Sequence, residues 1–163
     1  MSSDCCFRSD SNWFRYRAGA LIVSNNRMLF VKCKFQDYYY VIGGGVKLGE
    51  SSGDCIKREL LEEIGISVQT ERLAVVCENF FKNDISGSKE VMDCHTIEFY
   101  YLVRLDDSEL DNLKSITDEG EELVWIPLDR ISSVNIKPSF IRKSISQIIS
   151  SSEILHFVEE TDR

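Results

Sequence analysis

Three carboxylates, Glu59, Glu62 and Glu63, follow the guanidinium of Arg58 within six residues of the 163-residue chain. On a helix advancing about 100° per residue, the three glutamates fall within an arc of about 100°. Arg58 stands four residues ahead of Glu62, the spacing at which the two pair and fix the carboxylate's orientation. Like charges set this close repel one another, and the stripe carries no cation of its own. A hard divalent cation takes oxygen ligands and relieves that repulsion. The competing reading is three exposed glutamates on a solvated helix face.

The helix itself is well marked. Ser51 and Ser52 are good N-cap residues, Ser51 and Asp54 have capping-box spacing, and Gly65 is a natural C-terminal stop. Ile56, Leu60, Leu61 and Ile64 occupy the arc beside the glutamates and are expected to face the core. Just upstream runs Gly43-Gly44-Gly45-Val46-Lys47-Leu48-Gly49-Glu50, where glycines let the backbone come close to a ligand. Two decoys lie in this loop. Gly44 and Gly49 open like a phosphate-binding Walker loop, but Glu50-Ser51 stands where Lys-Ser/Thr is required. Gly49-Glu50-Ser51-Ser52-Gly53 matches the Gly-x-Ser-x-Gly nucleophile elbow in letters only. That motif needs a strand ending at Ser51 and a later acid and histidine, so Ser51 is read as a cap.

Taken together, Gly44, then Glu50, then Arg58-Glu59-Leu60-Leu61-Glu62-Glu63-Ile64-Gly65-Ile66 resembles the Nudix box without a departure, over 23 residues. One feature outside the box departs from the family's usual Pro-Gly-Gly: Ile42 precedes Gly43-Gly44, which relaxes the loop. The resemblance to the Nudix hydrolases, MutT-like in size, implies an α/β (α+β) fold, an α/β/α sandwich around a central mixed β-sheet. It implies a single domain over residues 1–163, with residues 1–12 as a flexible N-terminus. It further implies hydrolysis of a nucleoside diphosphate linked to another group, with Mg²⁺, or Mn²⁺ as a substitute. On this resemblance Glu59, Glu62 and Glu63 are metal ligands, with a backbone carbonyl at Gly44. Arg58 orients a carboxylate, and Glu50 supports the loop. A further carboxylate outside the box often serves this family as ligand or base. Glu119 ranks first here and Glu121 second, with a plain solvated loop as the alternative for each.

Substrate contacts are expected from Arg17, Gly45 and Phe81. Arg15 is also placed to reach phosphates, and Tyr38, Tyr39 and Phe80 are further candidates for stacking on a base, with core packing as the alternative. The resemblance implies as substrate a free nucleotide or an ADP-ribose-like derivative. A catalytically silent nucleotide sensor is the alternative function, and a purely structural domain the third. An RNA 5′ end is a substrate variant disfavoured by charge.

The elements that must position these residues are legible in outline. Tyr16–Ser24 and Met28–Lys34 read as a hairpin turned at Asn25-Asn26. Tyr38–Ile42 is a short aromatic strand running into the glycines. Strands recur at Val68–Phe81 and Thr96–Leu105, separated by a polar loop containing Asp84, Gly87 and Lys89, and Leu123–Ile126 is closed by Pro127. Pro138 opens a second helix to about Ser150, with Phe140, Ile141, Ile145, Ile148 and Ile149 as its apolar stripe.

Composition bounds the rest. The net charge is -8, yet residues 1–47 carry seven basic and three acidic side chains, and the densest acidic run, Asp106 to Glu122, contains only Lys114 as a base. Such a balance argues against a general nucleic-acid binder and an anionic membrane surface. No apolar run approaches the ~18 residues needed to span a membrane, and Met1–Asp10 is no signal peptide. Six cysteines without a Cys-x-x-Cys pair fit a reduced, cytoplasmic protein, with Cys33, Cys55 and Cys77 packed as small hydrophobes. Zinc is not expected with two histidines at no ligand spacing. A homodimer is left open.

Overall fold

Continuous apolar runs, Ala18 to Val23 in Asn12–Ser24 (β2) and Met28 to Val31 in Arg27–Lys32 (β3), are buried on both faces of the sheet, and the turn between them places Asn25 and Asn26 at φ 47° and 59°. Asparagine tolerates this left-handed region better than most residues. This computed structural model describes residues 3–84 and 91–161. The loop expected around Gly87 and Lys89 therefore lies outside the described residues.

Around that hairpin the sheet runs β4-β3-β2-β7-β6-β9. Its members are Tyr39–Tyr40 (β4), Arg72–Asp84 (β6), Val91–Arg104 (β7) and Leu155–Thr161 (β9). Cys6–Ser9 (β1) and Gly43–Gly45 (β5) pair with β2, and Leu123–Pro127 (β8) pairs with β3. β2 lies parallel to β7, and β6 parallel to β9, while the remaining pairs are antiparallel. The sheet is thus mixed, as expected.

Helix Ser52–Ile64 (α1) covers one face and Phe140–Ser150 (α3) the other. Ile56, Leu60 and Ile64 pack with Ala20, Ile22, Leu29 and Val103. Phe140, Ile141, Ile145 and Ile148 pack with Leu21, Phe30, Val75 and Leu102. Two cores on opposite faces make the α/β/α sandwich. Among the described residues no helix is long and apolar enough to cross a membrane.

Several expectations are corrected. The N-terminal segment is not loose throughout: β1 pairs with β2 from Cys6 to Ser9, and Phe7 stacks on Phe14. Tyr38–Ile42 is not one strand, because only Tyr39–Tyr40 pairs with β3 before the glycines cross to β2. Beyond Ser150, where no element is expected, Leu155–Thr161 forms a strand alongside β6, with His156 bonded to Glu78 at 2.9 Å. Part of the acidic run folds into a short helix, Asp107–Asp111 (α2), closed by an Asp106/Glu109 capping box. Leu61 is exposed, since it lies one residue past the Ile56–Leu60–Ile64 stripe. Cys33 is only half-buried and lines a cleft, whereas Cys55 and Cys77 are fully buried.

Candidate functional site

The central helix begins where the sequence places it. The Ser51 side chain accepts from the Asp54 amide at 3.1 Å, and Gly65, at φ 76°, returns its own N–H to the carbonyls of Leu60 and Leu61. No strand ends at Ser51, so the nucleophile-elbow reading fails on geometry. Between the caps, Arg58 is the hub. Its Nε donates to Glu50 Oε1 at 2.8 Å, and one terminal nitrogen to Glu50 Oε2 at 3.0 Å. The other terminal nitrogen donates to Glu59 Oε1 at 2.6 Å and to Glu62 Oε2 at 3.0 Å. A further bond at 3.2 Å reaches the Gly45 carbonyl, tying the helix to β5.

This geometry sorts the box residues into roles. Glu50 is held by Arg58 first, against the opposing effect of burial, with help from the Lys47 amide at 3.0 Å, and its carboxyl drops to about 2. Arg58 is in turn held well above its ordinary value, chiefly by Glu50. Glu59 lies directly against the Cα of Gly44. A Cβ at Gly44 would overlap the Glu59 carboxylate, so only glycine leaves room for it. Glu63, half-buried, does not bond to Arg58. Burial first, then the charges of Glu59, Glu119 and Glu121, push its carboxyl up to about 7, with Arg17 opposing.

The acidic loop before β8 therefore faces the box helix. Glu121 accepts a hydrogen bond from the Tyr40 hydroxyl and lines the cleft, and Tyr40 is raised well above its ordinary value by burial and by that bond. Glu119 is exposed; its backbone carbonyl accepts from Lys34. Among the described residues no three His, Cys, Asp or Glu side chains converge closely enough to hold a metal ion, because Glu59 and Glu62 are turned onto Arg58.

Beside the box opens a cleft of about 1050 Å³ on the α3 face of the sheet. Arg17 and Phe81, both expected to meet substrate, line it, as do Arg15, Tyr38 and Gly43. Arg17 reaches the Gly43 carbonyl at 3.5 Å, and among the described residues its buried Nε has no hydrogen-bond partner. Gly45 is outside this lining: its carbonyl is bonded to Arg58 and its Cα sits against Asp4. Tyr39 packs with the core around α3, and Phe80 stacks on His95 with ring centroids 4.3 Å apart. Reading the sequence missed Glu98 and Asn79 on the cleft lining. For Glu98 the signal was a polar residue at every second position of Thr96-Ile97-Glu98, a pattern also shown by strands that face solvent.

A helix of four acidic residues and one arginine, stapled to a glycine strand on a mixed sheet, defines a class. The chain belongs to the NUDIX domain family, which matches residues 13–147. An oxidized purine nucleoside triphosphate hydrolase from Mus musculus is 33% identical over 99 residues, covering 59% of this chain and 53% of that protein. The match thus spans about half that relative's length. An RNA pyrophosphohydrolase from Teredinibacter turnerae is 22% identical over 153 residues, covering 86% of this chain and 88% of the relative. A MutT protein from Bacillus halodurans shares the fold, with a TM-score of 0.70 at 17% identity over 91% of this chain and 92% of its own.

Proposed function

We propose that the protein is a divalent-metal-dependent nucleotide pyrophosphohydrolase, cleaving the pyrophosphate bond of a nucleoside diphosphate linked to another group. The carrying observation is the juxtaposition of the Arg58-held carboxylates with a cleft whose near wall is Arg15, Arg17 and Gly43. An all-oxygen donor set of Glu59, Glu62, Glu63 and the Gly44 carbonyl suits Mg²⁺ or Mn²⁺. The space that Gly44 leaves for the Glu59 carboxylate supports that fit. When bound, such a cation supplies neutralisation of pyrophosphate charge and a lowered pKa for water at the site.

The chain's own groups then do the positioning. Arg17 directs donors toward substrate phosphates, with Arg15 behind it on the same strand face. Arg58 keeps Glu59 and Glu62 oriented, and Glu50 fixes Arg58. Glu63 feels the charge of Glu121, which lines the cleft. Of the two loop carboxylates, Glu121 is the better placed to take a proton from attacking water, because Tyr40 holds it on the cleft wall. Phe81 and Tyr38 offer aromatic faces to a base.

A panel of nucleoside triphosphates, nucleoside diphosphate derivatives and 5′-triphosphorylated RNA, assayed with Mg²⁺ and Mn²⁺ and with products analysed in ¹⁸O-water, tests this. Turnover of at least one diphosphate is expected, lost in Glu62→Gln and Glu63→Gln with the far-UV spectrum unchanged. Tight binding without turnover would indicate a sensor, and retained activity in both variants would sink the site assignment.

A further inference from the structure

The cleft floor holds a carboxylate that the hydrolytic site does not use. Glu98 is 5% exposed and lines the cleft. Its Oε1 accepts from Thr96 Oγ1 at 2.7 Å, and its Oε2 from the Tyr100 hydroxyl. Tyr100 cannot swing away easily: its ring lies against Gly19, where a Cβ would meet it at 2.7 Å, and edge-on to Phe140 with centroids 5.1 Å apart. Among the described residues no cation is hydrogen-bonded to Glu98, and Arg15 on β2 interacts with it only through its charge. Taking a carboxylate out of water with no cation bonded to it is costly. An ionised carboxylate accepts at about four lone-pair positions, so two remain for a ligand in the cleft.

Strand register says which part of a ligand meets them. Arg17 on β2 pairs in register with Glu98 on β7. On the far side of β7, β6 sets Cys77 opposite Glu98 and carries Asn79 and Phe81 further along the same cleft lining, opposite Thr96 and Cys94. Running diagonally over the sheet, about 4.8 Å per strand across and two to four residues along β6, the order is arginine, carboxylate, then amide and aromatic ring. A nucleotide has the same order: phosphate, sugar, base. With phosphate at Arg17, the neighbouring strand meets the sugar. A ribose offers a cis-diol, two adjacent O–H donors, to a carboxylate that can only accept, while a 2′-deoxyribose offers one.

We propose that Glu98 is a specificity-determining residue that selects ribonucleotides over 2′-deoxyribonucleotides by accepting hydrogen bonds from the ribose diol. The proposal rests on the nucleotide reading of the cleft but not on catalysis. Thr96 and Tyr100 are positioning residues that hold the carboxylate's other lone pairs and so aim the free ones into the cleft.

Titration calorimetry with the four ribonucleoside 5′-monophosphates and their 2′-deoxy counterparts, which carry no pyrophosphate to cleave, tests it directly. For the bases that bind, the ribonucleotide should bind on the order of 10- to 100-fold tighter, the loss expected when a charged buried acceptor forfeits a donor. Glu98→Gln should shrink that ratio to within about 3-fold. If Glu98→Gln does not fold, Tyr100→Phe should narrow the ratio by loosening the carboxylate. Equal affinity for both sugars in the wild type, no binding of any monophosphate, or an unchanged ratio in a folded variant would overturn the proposal. Pyrophosphate-bond turnover on the matching triphosphates separates the two readings. Ribose-selective binding without turnover sinks the hydrolase and keeps Glu98; turnover indifferent to sugar, with indifferent binding, does the reverse.

Discussion

Removing Arg58 should expose how much of the box is held by one side chain. Arg58 is 20% exposed, and its partners Glu50 and Glu59 are 15% and 13% exposed, whereas Glu62 is 55% exposed. Arg58→Ala therefore strands two largely buried carboxylates and one in solvent. Breaking a fully buried pair costs ~3–5 kcal/mol and an exposed one under ~1 kcal/mol. For two partly buried partners and one exposed, we expect a loss of ~3–4 kcal/mol. Glu50 provides a separate check. The fall of its carboxyl from 4.5 to about 2 corresponds to ~3 kcal/mol before solvent screening and roughly 2 kcal/mol after it.

The folded carboxyl of Glu50 titrates below the unfolded one, so its contribution is complete above pH 4.5 and disappears as pH falls toward 2. Calorimetric melts in EDTA should show Arg58→Ala lowering Tm by roughly 10 °C at pH 7, taking about 2–4 °C per kcal/mol for a domain of this size. Urea melts should show the gap between wild type and variant narrowing from pH 5 to pH 3. A Tm loss under about 3 °C, or a gap that stays constant or widens in acid, would refute the reasoning.

Gly43→Ala and Gly44→Ala should separate fold from site. At Gly43 the new Cβ meets the rigid Ala18 carbonyl, so thermal scans should show a loss of ~2 kcal/mol or more. At Gly44 it meets only the movable end of Glu59, so stability should fall by under ~2 kcal/mol while metal-dependent turnover falls at least about 10-fold. Glu121→Gln should lower kcat on the order of 100-fold, and Glu119→Gln less than about 5-fold; the reverse order in steady-state kinetics would return the role to Glu119.

Some of this protein could be read without any fold. The helix from Ser51 to Gly65, its caps, the pairing of Arg58 with Glu62, and the Asn25-Asn26 turn all follow from neighbours within about one helical turn or one tight turn. The Nudix box is legible for the same reason, since its residues act within one loop and one helix. The apolar stripe of α3 was equally readable, because Phe140, Ile141, Ile145 and Ile148 repeat at helical spacing and all four are buried.

Other features needed partners far away in the chain. The strand at Leu155–Thr161 carries Glu159, Glu160 and His156 and resembles a polar tail until β6 supplies its hydrogen bonds. Glu121 ranked behind Glu119 because nothing local distinguishes them; the Tyr40 hydroxyl, 81 residues away in sequence, does. Glu98 carries no local mark of a site, and only the packing of Tyr100 on Gly19 and Phe140 closes it into a cleft floor. The sequence by itself determined the kind of chemistry, because helical periodicity and caps act between near neighbours. Which carboxylates meet in space, and which side chains line the cleft, was decided by strand register, because register is set by contacts that only the folded sheet can make.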